Sequence, residues 1–128
     1  MSEVLEKKFD LEDRLIDFAV LIVEISENLN NSKAGNHIAG QLVRSGISPA
    51  LNYGEAQSAE SRDDFVHKIK IILKELKESR VCLKLIIRKQ MIKPVNRLTN
   101  LKNECEELIK ISSKSIDTAK KNNKRARQ

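Results

Sequence analysis

An all-α fold, an up-down-up-down antiparallel four-helix bundle, is predicted by three features of this 128-residue chain. Aromatic residues make up 3% of it and Trp is absent, which deprives a sheet of its usual cross-strand pairs. Gly and Pro number 4 and 2, too few to punctuate many short strands, while 33% of the residues are charged, as the outer faces of long helices require. Apolar residues recur at alternating spacings of four and three, the period of a helix that buries one stripe.

The first helix is predicted to open at Asp10, whose carboxylate can accept from the free N–H groups of the first turn, with Asp13 in a capping-box-like position. Its seam is Leu11, Leu15, Phe18, Ile22, Ile25 and Leu29. Ile16, Ala19, Val20 and Val23 form a second apolar stripe nearly opposite, beside a narrow acidic strip of Asp13, Asp17 and Glu24. A single bundle does not easily bury both stripes, so the second is assigned to an oligomer interface. Residues 28–35 read as a polar connection, and Asn36 as the cap of a second helix carrying Ile38, Leu42, Ile47 and Leu51. Pro49 within that helix predicts a kink or break, because it lacks an N–H and its ring presses on the carbonyl of Ser45.

Ser61 with Asp64 forms another capping box, opening a helix to about Arg88 with the seam Phe65, Ile69, Ile72, Leu76, Ser79, Leu83 and Ile86. Residues 90–93 form a turn, Pro94 suits a first helical position, and Leu98, Leu101, Cys105, Leu108 and Ser112 mark the fourth seam. Residues 1–119 are therefore read as the bundle and 120–128 as a basic, disordered tail without acidic or large apolar residues.

The net charge of +6 is unevenly spread, with −5 in residues 1–29, +7 in 67–93 and +5 in 120–128. On the third helix Lys70, Lys74, Lys77, Lys84 and Arg88 form a cationic stripe, and Lys120, Lys121, Lys124, Arg125 and Arg127 extend the positive charge into the tail. These are the candidate nucleic-acid-binding residues. No base-reading aromatic motif interleaves them, so phosphate and shape would be read in preference to sequence. The alternative is a solvated face, or a face matched to the acidic strip of a neighbouring copy.

The longest apolar run, Phe18–Val23, falls far short of the roughly 20 residues a membrane span needs. The acidic N-terminus also lacks the basic lead-in of a signal peptide, so a cytoplasmic protein without membrane contact is expected. Cys82 and Cys105 are not in a C-x-x-C and fall on apolar helix sides, which argues for reduced, buried thiols over a disulfide or zinc site.

The run QLVRSGISPALNYGEAQSAESRDDFVHKIKIILKELKESRVCLKLI, residues 41–86, resembles the bacterial four-helix-bundle family first noticed in intervening sequences of large-subunit ribosomal RNA genes. Arg44, Ser45, Ser48, Asn52, Glu55, Phe65, His67, Lys68, Leu73, Lys74, Glu75, Glu78 and Leu83 match its pattern. Pro49, one position early, and Val81-Cys82, where an aromatic pair is usual, depart from it. The resemblance implies a homopentameric, barrel-like ring, and a relationship to the accessory protein of diversity-generating retroelements, which works with a reverse transcriptase and binds nucleic acid.

Catalytic chemistry has little footing in the sequence. A di-iron bundle needs two Glu-x-x-His pairs, whereas only Asp64 and His67 have that spacing and His37 has no carboxylate three positions before it. Ser45, Ser48, His67 and Glu75 could be recruited for hydrolysis, but no nucleophile elbow or phosphate loop accompanies them. Arg44, Asn52, Glu55, Glu75 and Glu78 read instead as a structural polar network that sets helix register. The expected function is a non-enzymatic homo-oligomeric scaffold or adaptor without cofactor or metal. Its expected partners are itself, structured RNA or DNA, and a nucleic-acid-processing protein. A protein-only assembly module is the alternative, and an enzyme the remote one.

Overall fold

The computed structural model describes residues 10–127, with side chains through Asn122. Four helices follow one another, α1 Leu11–Glu27, α2 Lys33–Gln57, α3 Arg62–Lys89 and α4 Val95–Arg127, with no strand among the described residues. Each helix packs along the next, α4 closes back on α1 through a much thinner seam, and α1 stands diagonally across from α3. Short connections between sequential neighbours give the up-down-up-down bundle that the apolar spacing predicts.

Local chemistry sets the helix ends. Asp10 caps α1 by accepting from the Asp13 N–H at 3.0 Å, and Ser61 caps α3 by accepting from the Asp64 N–H at 3.0 Å, both as read from sequence. The cap of α2 is Ser32, not Asn36: its hydroxyl accepts from the Gly35 N–H at 3.0 Å, and the helix begins four residues earlier than the Asn36 cap implies. Gly35 is required there because a Cβ would lie 2.2 Å from the Asn30 carbonyl oxygen. At the end of α3 the Gln90 N–H donates to Ile87 O and the Met91 N–H to Ile86 O, a Schellman closure that puts Gln90 in the left-handed region at φ 55°.

The seams of α1, α3 and α4 form one core. Leu15, Phe18, Ile22, Ile69, Ile72, Leu76, Leu83, Ile86, Leu98, Leu101, Cys105 and Leu108 are all buried, and Ile116 extends the core toward the end of α4. Helix α2 differs from expectation. It runs through Pro49 without a break, and after Leu42 it buries Ser45, Gly46, Pro49 and Ala56, while Leu51 points out and Ile47 is only half-buried. The reason is steric: Ile22 fills the space above Gly46, where a Cβ would meet Ile22 Cγ2 at 2.4 Å.

Helix α4 also continues to Arg127, past the boundary at 119 where the sequence reading places a disordered tail. No Gly or Pro interrupts it, and Ala, Lys and Arg are good helix formers. Its apolar packing nevertheless ends at Ile116 and the half-buried Ala119, and Lys120, Lys121 and Asn122 are exposed.

Two substitutions should move stability in opposite directions. Gly46→Ala forces Ile22 out of its seat and should cost about 1 to 3 kcal/mol, the range for overpacking. Gln90→Gly relieves a left-handed non-glycine residue and should stabilise by about 0.5 to 1 kcal/mol. Urea denaturation followed by circular dichroism reads both; a neutral Gly46→Ala would contradict the close α1–α2 approach.

Candidate nucleic-acid interface

Spacings of four, three, seven and four place Lys70, Lys74, Lys77, Lys84 and Arg88 along one side of α3, and all five are exposed. Lys70, Lys74 and Lys77 line a shallow surface groove of about 510 Å³ with Leu73, Glu78 and Val81. Among the described residues no carboxylate lies within ion-pair distance of these five cations. The stripe is not purely cationic, since Val81 and Leu85 stand exposed within it. Lys120 and Lys121 are exposed at the far end of α4, whereas the side chains of Lys124, Arg125 and Arg127 lie outside the described residues.

The five residues grouped as a polar network divide into three places. Arg44 reaches from α2 to α3, donating to Glu75 Oε2 at 2.8 Å and to Glu78, and also to Gln41 on its own helix. Those hydrogen bonds and negative charges, Glu78's first, raise the guanidinium's already high pKa further. Asn52 stays on its own helix, donating to Ser48 O at 3.0 Å and Ser48 Oγ at 2.9 Å. Glu55 is exposed and faces Lys68 at 3.8 Å. Arg44 cannot gather all four because Asn52 and Glu55 lie two and three helical turns beyond it.

Sequence reasoning misses the buried Ser45 and Ser79 hydroxyls, 2.9 Å apart across α2 and α3. It also misses two clamps on the thin α1–α4 seam. Arg14 donates to Glu104 through two hydrogen bonds of 3.1 and 2.6 Å, and Arg97 pairs with Glu24. The available signal was Arg14 itself, the sole cation in an otherwise acidic α1.

The second stripe of α1 is placed as its composition demands. Ile16 and Val20 are exposed and Ala19 and Val23 half-buried, and with Ile47 and Ala50 of α2 they line a groove of about 380 Å³. His37 and His67 are exposed, and no group of three His, Cys, Asp or Glu among the described residues is arranged to hold a metal ion. No helix among the described residues is long and apolar enough to cross a membrane.

The same packed core is found in known proteins. The family described as 23S rRNA-intervening sequence protein matches residues 7–114. The chain belongs to that family. It is similar to a protein of unknown function from the S23 ribosomal protein family of Bacteroides thetaiotaomicron VPI-5482, whose crystal structure shares 34% identity and a TM-score of 0.75. That similarity covers 82% of this chain and 96% of the other. Among curated proteins no match is found. The 23S rRNA-intervening sequence family thus extends across most of the packed core, from α1 to the middle of α4 and short of Ile116.

The cysteines are set apart from nucleophilic chemistry. Cys105 is buried and donates to the Leu76 carbonyl at 3.2 Å, and burial pushes its thiol from 9.0 up to about 12. Burial, and then the charge of Glu78, also raises the half-buried Cys82. Because the folded Cys105 value lies above the unfolded one, its stabilising contribution is whole below pH 9.0 and is lost as pH rises toward about 12. At pH 8 iodoacetamide should modify Cys105 much more slowly than Cys82, and urea should abolish the difference; equal native rates would contradict the placement.

Arg44 generates a further expectation. Arg44→Ala leaves the buried Glu75 carboxylate without its cation, and should lower Tm more than Glu78→Gln, which removes an acceptor nearer solvent. Adding Glu75→Gln to Arg44→Ala should recover part of the loss, and strictly additive losses would dissociate the pair.

Proposed function

We propose that this protein is a non-enzymatic, self-assembling scaffold or adaptor that associates with nucleic acid through its basic surfaces, in a cytoplasmic setting. The carrying observation is the exposed stripe of α3, whose cations have no ion-paired carboxylate within the described subunit. Polyanion binding releases counterions from phosphate and supplies the missing neutralisation. A family named for intervening sequences of 23S rRNA is a fitting context. The resemblance of residues 41–86 supports the same direction, with five copies as the assembly it implies and a nucleic-acid-processing protein as a further partner.

Self-assembly multiplies the effect. Each subunit's basic surface is small, but several copies held together engage one strand with avidity that a single copy lacks. A second reading, the protein-only assembly module, has its own observation: Val81 and Leu85 interrupt the lysine stripe with exposed apolar surface.

Salt-dependent binding distinguishes the two. The assembled protein should bind structured RNA or DNA with little sequence preference, and weaken steeply as salt rises. Replacing Lys70, Lys74, Lys77 and Lys84 by Gln should lower the log–log salt slope by about 1 for each phosphate that is no longer neutralised, in fluorescence anisotropy titrations. Absence of binding by the wild type at roughly 50 mM salt, where such contacts are favoured, would leave the protein-only module as the function.

A further inference from the structure

The first turn of α3 and the later turns of α4 leave an open groove between them. Phe65 stands in the α3 seam, but α4 meets it there with Ser115, Thr118, Ala119 and Asn122, which are too small or too polar to cover the ring, so Phe65 stays half-buried. The groove is about 580 Å³, within the range of small-molecule sites, and Phe65, Ile111 and Ala119 give it an apolar floor. Arg62 and Lys114 are exposed at its rim, and no carboxylate lines it. Glu107, one turn before Ile111, faces Lys110 at 3.8 Å, and Asp117 lies farther round α4 than Lys114.

We infer that this groove receives an unpaired nucleobase, stacked on Phe65, while Arg62 and Lys114 hold the phosphates on either side of it. A base offers the ring an apolar face, and its edge both donates and accepts hydrogen bonds, which the hydroxyls of Ser115 and Thr118 and the amide of Asn122 can match. Its phosphates supply the negative charge that the rim lacks. An aliphatic anion would use the cations and the apolar floor but leave those three polar groups without partners. The groove also continues the basic surface in both directions. Arg62 lies two helical turns, about 12 Å, before Lys70, and Lys121 follows Lys114 at heptad spacing along the same edge of α4.

This rests on the nucleic-acid half of the proposed function and narrows the ligand. The lysine stripe can neutralise phosphate on any polyanion, whereas the groove admits only a base free of its pair, as in a loop, a bulge or a single strand. Bases in a duplex are stacked on both faces, so a duplex reaches the cations without reaching Phe65. Stacking accepts every base, which keeps sequence preference low.

Fluorescence anisotropy at roughly 50 mM salt tests the site with two probes, using the full-length protein. One is an unstructured oligouridylate of about 12 nucleotides, within the site sizes of single-strand binders, and the other a blunt RNA duplex of the same length. Phe65→Leu keeps apolar volume in the seam, and circular dichroism checks the fold. It should weaken oligouridylate binding about tenfold, leave its salt slope unchanged because no cation is lost, and move duplex affinity by less than about twofold. Ser115→Leu, which fills the groove and leaves Phe65 in place, should give the same selective loss. Equal losses on both probes, no loss on the oligouridylate, or a wild type that binds only the duplex overturns the base site while leaving phosphate binding standing. A wild type that binds neither probe removes nucleic-acid association and the base site together. Photo-cross-linking reads the position directly: an oligouridylate carrying iodouridine should attach to Phe65. Attachment elsewhere, as to Tyr53, the other half-buried aromatic among the described residues, overturns the site.

Discussion

The seat of Ile22 on Gly46 governs much of the rest of this bundle. It brings α1 so close to α2 that even a methyl group on residue 46 would overlap the isoleucine. Helix α2 must then turn its small residues inward, which is why Ser45, Gly46, Pro49 and Ala56 are buried while Ile47 and Leu51 are displaced toward solvent. The outward apolar surface is therefore a geometric consequence of the inward fit. Pro49 belongs to the same arrangement, since a buried pyrrolidine ring adds contact without presenting a donor.

Energy in this fold is concentrated in the aliphatic seams, with polar contacts placed to orient them. Burying a side chain such as Leu15, Phe18 or Ile72 is worth about 1.5 to 3 kcal/mol, whereas an exposed ion pair gives about 0 to 1 kcal/mol. The pairs nevertheless occur where packing is thinnest: Arg14 with Glu104 and Arg97 with Glu24 span α1 and α4, the neighbours that share least surface. Between α2 and α3 the Ser45–Ser79 pair satisfies two hydroxyls that would otherwise be costly to bury, and it specifies register because a slip of one residue would separate them.

Three of the four seams were legible in the sequence because α1, α3 and α4 present large aliphatics at alternating spacings. Helix α2 was not, since counting large apolar residues selects Leu51 over Pro49, and only the position of Ile22 in space reveals the opposite choice. Capping shows the same division. Asp10 and Ser61 stand three residues before carboxylates, whereas Ser32 is followed by Gly35, whose role depends on the Asn30 carbonyl. In the candidate site, the cationic stripe and the second stripe of α1 follow from helical periodicity alone. The grouping of Arg44 with Asn52 and Glu55 fails because shared polarity does not imply shared height along a bundle.

Charge separation has a consequence that composition alone conceals. The acidic strip lies on α1 and the basic stripe on α3, diagonal helices whose outer faces point away from each other. Helices with side chains are about 10 to 12 Å across, and the screening length near physiological salt is about 8 Å, so charges on opposite outer faces barely neutralise one another within a subunit. Solvent counterions balance the exposed cations, and another copy's carboxylates or a polyanion would displace those ions. On the proposed function these two anions would compete for the exposed lysines, but only a protein surface would also offer apolar area to cover the exposed Val81 and Leu85.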